Sequence, residues 1–200
     1  MLKPQITHGV KEESPLVIVV EGLDNSGKST LARKLGNYLP NHRIVHSPGP
    51  RGLQLFDWLG EEFRSMHSDP HVIYDRFPLI SEMVFGPVLR GQTIFIDPVW
   101  QFYWNGLLAL DPFLIYTRPA EDRLILDTLD ARPQMDGVAT HARALLKAYD
   151  EFFSGIPLTC EMGFGDHEAY LHKYDYTADP EAERLIRVVK NVGDQLGITE

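Results

Sequence analysis

The 200-residue chain has one cysteine, Cys160. That excludes an intrachain disulfide and a cysteine-built zinc cluster, and it fits a reducing, cytoplasmic setting. Long apolar runs are also missing. None approaches the roughly 20 residues that a membrane helix needs, so no membrane partner is expected. The opening stretch MLKPQITHGVKEESP holds a lysine but no continuous apolar core after it. It does not read as a secretory leader, and residues 1–15 are expected to be a flexible arm. Positive charge is scarce, with 19 Lys and Arg against 28 Asp and Glu and a formal net charge of -9. Such a balance weighs against broad, non-specific DNA binding.

What is present suits one globular domain. Hydrophobic residues make up 44% of the chain, enough to build a core over residues 16–200. The run LVIVV reads as a strand, and STLARKLGNYL after it as a helix with Leu31, Leu35 and Leu39 at helical spacing. RIVHS, HVIYDRF and PFLIYTR read as further strands, and one more is expected from Leu171 to Tyr176. Helices are expected over Leu53 to Met66, from Pro78 to Leu89, over PAEDRLILDTLDAR, over HARALLKAYDEFF and in the closing DPEAERLIRVVKNVGDQLG. GQTIFID is open between strand and loop. Strands alternating with helices imply an α/β fold, a three-layer sandwich with a central parallel sheet flanked by helices.

Gly22-Leu23-Asp24-Asn25-Ser26-Gly27-Lys28-Ser29 matches the phosphate-loop pattern G-x-x-x-x-G-K-[ST] without a mismatch. It stands between a β-branched run and an amphipathic helix, where backbone N–H groups and the helix N-terminus can wrap a polyphosphate. Gly22, Asn25, Ser26, Gly27, Lys28, Ser29 and Thr30 are therefore candidates for holding ATP. Lys28 is expected to bridge the β- and γ-phosphates, and Ser29 to ligate Mg²⁺. Asp24 is anomalous, because a carboxylate inside this turn repels phosphate oxygens.

Ligands of open α/β sheets collect at the strand C-termini, and IYDRFP places an acidic-basic pair at one of them. Asp75 is a candidate for a Mg²⁺-bound water or for the proton of an attacking hydroxyl, and Arg76 for clamping an anionic acceptor. Phosphoryl transfer also calls for cations over the moving group. Arg118, Arg123, Arg132 and Arg143 lie on or near a stretch where helical periodicity fails, and one or two of them are expected to reach ATP. The aromatic stretch PVWQFYWNG suits core or homodimer packing more than base stacking, with Phe77 and Tyr103 as candidates for the acceptor pocket.

These landmarks resemble the thymidylate kinase-like branch of the P-loop kinases. EGLDNSGKST is similar to that family's E-G-x-D-x-x-G-K-[ST], acidic residue included. SPGPRG sits where the family carries a proline-glycine loop, VIYDRFP looks like its third strand ending in Asp-Arg, and PFLIYTRPAEDRL is similar to its fourth strand and following helix. The resemblance spans about Leu16 to Arg132. It implies phosphate transfer from ATP with Mg²⁺ to a deoxynucleoside monophosphate, with Asp24 facing the acceptor's sugar hydroxyl, Arg76 holding its phosphate, and an arginine-bearing lid near residues 130–142 that includes Arg132. YLHKYDYT is similar in position to the loop that flanks the adenine in P-loop kinases, and that resemblance implies the same place for it here. Deoxynucleoside kinases end this strand in an acidic-arginine pair too, and phage-type kinases phosphorylate hydroxymethyl pyrimidines in DNA, so a hydroxyl acceptor stays open, with the host cytoplasm as setting if the chain is phage-encoded. A non-catalytic switch module is the rival class. Against it, the chain lacks Asn-Lys-x-Asp, and DRFP stands where Asp-x-x-Gly would follow the third strand.

Overall fold

A computed structural model describes residues 16–47, 52, 54–66, 71–126, 136–156, 159–160, 167–168, 170–178 and 182–196. The expected arm at 1–15, most of SPGPRG and residues 130–135 of the expected lid lie outside these.

Five strands form one parallel sheet: β1 Leu16–Glu21, β2 His42–His46, β3 His71–Asp75, β4 Phe113–Thr117 and β7 Tyr170–Tyr174, in the order β2-β3-β1-β4-β7. β1, β3 and β4 are buried along their whole length. That burial explains why they read as unbroken apolar runs rather than alternating patterns. Alternate side chains still serve different layers. Val17, Val19, Val72, Tyr74, Leu114 and Tyr116 pack with α2 Gln54–Met66, α3 Pro78–Arg90, α4 Asp97–Leu108 and α6 Ala142–Gly155. Leu16, Ile18, Val20, Ile73, Phe113 and Ile115 pack instead with α1 Lys28–Gly36 and α7 Glu183–Leu196. The result is the α/β three-layer sandwich expected, with helices on both faces of a parallel sheet. Among the described residues, no helix is long and apolar enough to cross a membrane.

Three local features go beyond the sequence reading. GQTIFID, open between strand and loop, forms no strand. Ile94 N–H instead donates to the buried Glu82 carboxylate, and α4 begins at Asp97 with a proline in its first turn. The helix expected from Pro119 starts later, and its described part is α5 Arg123–Leu126. Asp175 takes the Ala120 N–H and Arg118 pairs with Asp122, so the residues in between are drawn into a loop. A two-stranded antiparallel piece, β5 Thr159–Cys160 with β6 His167–Glu168, had no signal in the sequence.

Register sets the site. Val20 pairs with Asp75, which pairs in turn with His46, and Glu21 pairs with Tyr116. The C-terminal ends of β1, β2, β3 and β4 thus open on the same edge of the sheet.

Candidate active site

β1 ends in Glu21 and the chain turns through Gly22 to Gly27 before α1 begins. Two glycines in this turn are required by geometry. Gly22 has φ 146°, and a Cβ there would stand 2.6 Å from the Thr117 carbonyl oxygen. Gly27 has φ 89°, and a Cβ there would meet the Tyr176 ring at 3.3 Å. Asn25 is left-handed as well, with φ 62°, a conformation that asparagine tolerates better than most residues. Ser26 Oγ lies 2.6 Å from Thr117 Oγ1, which donates to the Glu21 carbonyl at 2.8 Å, so the end of β4 braces the loop. Ser29 and Thr30 stand exposed in the first turn of α1.

Lys28 is buried, and its ammonium donates to the Leu23 carbonyl at 2.7 Å. Burial, then the neighbouring Arg76 guanidinium, pushes its pKa down to about 7. Asp24 answers that positive pair. Its Oδ1 accepts from Arg76 Nη2 at 2.6 Å and stands 3.8 Å from Lys28 Nζ. The anomalous carboxylate of the loop therefore sits between two cations.

Arg76 follows β3 with φ 76°, the left-handed region, its N–H on the Val20 carbonyl at 2.9 Å. Its guanidinium lies over the Phe85 ring at 5.0 Å. Burial works against the charge, but Tyr149, Asp24 and Glu21 outweigh it and raise the pKa. Asp75, only 7% exposed, receives the His46 ring through Nδ1 at 2.9 Å. His46 itself projects outward from the end of β2.

Glu21, Thr117, Tyr149 and His46 were not singled out from the sequence. Glu21 is fully buried at the centre of the cluster. It accepts hydrogen bonds from Phe77 N–H at 2.6 Å, Ser81 Oγ at 3.2 Å and Tyr149 Oη at 3.0 Å. Burial raises its pKa, with the Arg76 charge pulling the other way. A carboxylate closing an apolar strand run was the available signal, since an acid is almost never fully buried unless paired.

The expected acceptor-pocket residues divide. Phe77 has no exposed surface; its ring packs among Tyr74 at 4.9 Å, Trp58 at 6.1 Å and Phe63 at 6.2 Å, so it belongs to the core. Tyr103 is half-buried and stacks on Phe63 at 5.8 Å. Of the arginines, Arg118 is bound up in structure, donating to both Asp150 oxygens, to the Pro119 carbonyl and to Asp122. Arg143 is exposed in the first turn of α6. Arg123 lies on α5, and its side chain, like all of Arg132, falls outside the described residues. The turn after β7 is fixed by Asp175, which accepts from Thr177 N–H at 2.8 Å, and it lays Tyr176 against Gly27.

No family model matches the sequence, and no curated protein does. Solved structures do share its fold. The YorR protein of Bacillus subtilis, solved in complex with phosphorylated GDP, superposes with a TM-score of 0.64 at 21% identity, over 87% of this chain and 95% of that one. The deoxyadenosine kinase of M. mycoides with bound dATP gives 0.55 at 14% identity, over 88% of this chain and all of that one. The same enzyme with bound dCTP gives 0.53 at 15% identity.

Proposed function

We propose that the chain is an ATP- and Mg²⁺-dependent kinase that transfers the γ-phosphate to a deoxyribonucleotide-type acceptor, a deoxynucleoside monophosphate. The observation that carries this reading is the direct junction of a phosphate loop with an acceptor-side arginine, through Asp24 between Lys28 and Arg76. That carboxylate holds Arg76 by a hydrogen bond and stands 3.8 Å from Lys28, which is itself held by the Leu23 carbonyl.

In this reading the backbone of Gly22 to Lys28 holds the donor's phosphates, with Thr30 behind it in the first turn of α1. Tyr176 and its turn flank the base. Ser29 and Asp75 are hard oxygen donors of the kind Mg²⁺ takes alongside phosphate and water, and among the described residues no group of three acidic, histidine or cysteine side chains forms a protein cage. When bound, Mg²⁺ neutralises charge on the β- and γ-phosphates. Arg76 holds the acceptor phosphate, and Asp24 holds Arg76 and faces the acceptor's sugar. An acceptor phosphate oxygen attacks the γ-phosphorus, the bond to the β–γ bridging oxygen breaks, and ADP leaves. Lys28 neutralises the charge that builds on the moving group, and Arg123, Arg132 and Arg143 are the candidate cations for closing over it. Alignment and charge do the catalysis.

A second reading, transfer to a hydroxyl of a deoxynucleoside or of a hydroxymethyl pyrimidine in DNA, draws on the Asp75 carboxylate held by His46. There the hydroxyl proton passes to Asp75 as oxygen attacks phosphorus. Labelled ATP offered with a panel of deoxynucleoside monophosphates, deoxynucleosides and hydroxymethylated DNA separates the readings. Transfer to hydroxyls with none to any monophosphate removes the first; tight GTP binding without ATP binding removes both.

A further inference from the structure

We infer that Glu21 is a positioning residue, which sets Arg76 by clamping the turn that carries it, and that it does so through hydrogen-bond geometry rather than charge. The inference rests on the acceptor role proposed for Arg76 and adds a residue to that site.

Arg76 is held with φ 76°, a conformation that L residues with long side chains avoid and keep only where their surroundings enforce it. Two hydrogen bonds straddle it. Its own N–H reaches the Val20 carbonyl at 2.9 Å, and the next N–H, that of Phe77, reaches Glu21 Oε1 at 2.6 Å. Val20 and Glu21 are consecutive, so the end of β1 fastens both sides of the strained residue. Phe77 is also the N-cap of α3, and its side chain makes no capping bond. Oε1, from β1, takes the N-cap N–H, the bond that an N3 carboxylate makes in a capping box, and accepts from Ser81 Oγ at 3.2 Å as well; a carboxylate at a helix N-terminus meets the favourable end of its dipole. Oε2 accepts from Tyr149 of α6 at 3.0 Å. Glu21 thus joins the first residue of the phosphate turn, the arginine turn and α6, while its oxygens make no hydrogen bond to the Arg76 guanidinium itself. That guanidinium donates instead to Asp24 Oδ1 and the Gly22 carbonyl.

Two substitutions in the full chain separate geometry from charge. Glu21→Gln removes the charge and keeps an oxygen at the Phe77 N–H. Glu21→Asp keeps the charge and withdraws it by one methylene. Acceptor and ATP KM are measured for both, together with the NMR signal of the Arg76 Nε–H. Among the described residues that group is buried without a hydrogen-bond partner, and it reports directly on the guanidinium's surroundings; Arg76→Lys assigns the signal. Glu21→Asp is expected to raise the acceptor KM about tenfold, with ATP KM within about twofold, and to shift the Nε–H signal; Glu21→Gln is expected to recover most of both. The reverse order overturns the inference, as does a rise of both KM values together or an unmoved signal in Glu21→Asp. If the wild-type protein phosphorylates no acceptor, the kinase reading fails, and the NMR comparison still decides the role of Glu21.

Discussion

Asp24 accepts a 2.6 Å hydrogen bond from Arg76 across 52 residues of sequence. The turn at residues 22–29 and the end of β3 are therefore one electrostatic unit. A charge-assisted hydrogen bond of this kind contributes about 1.5–3 kcal/mol, roughly ten- to a hundredfold in an equilibrium. Asp24→Ala is expected to raise the acceptor KM by at least about tenfold and to change ATP KM by less than about threefold, because the carboxylate contributes no donor to phosphate. Steady-state kinetics with each substrate varied in turn checks this. A selective loss of ATP affinity would place Asp24 on the donor side.

Lys28 shows the cost of holding a site ready. Its ammonium is buried and its pKa is pushed down to about 7 by burial and by Arg76. The unliganded fold consequently gains little from its charge. Lys28→Met is expected to lower turnover by about a hundredfold or more, while its Tm equals or exceeds the wild-type value. Calorimetry beside a transfer assay tests both halves; near-normal turnover, or a Tm fall of many degrees, contradicts them.

The elements around the loop were legible because strand, turn and helix each carried a local signal: the β-branched run to Val20, the glycines at positive φ, and Leu31 and Leu35 on one helix face. Asp75 and Arg76 were legible for the same reason, as polar residues closing an apolar strand. The partners that complete the cluster were not. Tyr149 reaches Glu21 across 128 residues and Thr117 meets Ser26 across 91, and no local pattern encodes such pairings. Arg118 shows the limit from the other side. It was one of four arginines near a break in helical periodicity, of which one or two were expected to reach ATP, and the pairing that ties it up draws on Asp122, four residues on, and on Asp150 from α6.

That Arg118 network predicts a pH dependence. Burial opposes ionisation of Asp150, but hydrogen bonds from Arg118 and Tyr116 overcome it and hold its carboxyl below the ordinary range. A carboxylate whose folded pKa is depressed contributes stability that is complete above the unfolded pKa, about 3.9, and is lost as pH falls through the folded value. Asp150→Asn is expected to have a lower Tm than wild type at pH 7, with the gap closing as pH falls towards about 2. Asp150 is partly exposed, so solvent screening keeps the difference modest. A gap that stays constant with pH would mean that packing, not ionisation, sets it.

Phe77 stands next to Arg76, the residue proposed to hold the acceptor, and that adjacency invites a role in substrate binding. The fold assigns it otherwise. Its N–H serves Glu21, while its ring is sealed among Trp58, Phe63 and Tyr74 with no exposed surface. Removing such a ring leaves a cavity that the surrounding aromatics cannot fill, and Phe→Ala substitutions of this kind cost about 3–5 kcal/mol. Phe77→Leu retains most of the volume and the same backbone N–H, so it should recover most of that stability. Denaturant unfolding of the two variants is expected to show this order, and acceptor KM in Phe77→Leu should stay within about threefold of wild type. If Phe77→Leu instead raised acceptor KM strongly while leaving stability unchanged, the ring would have to reach the substrate, which the observed packing does not allow without opening the core between β3 and α2.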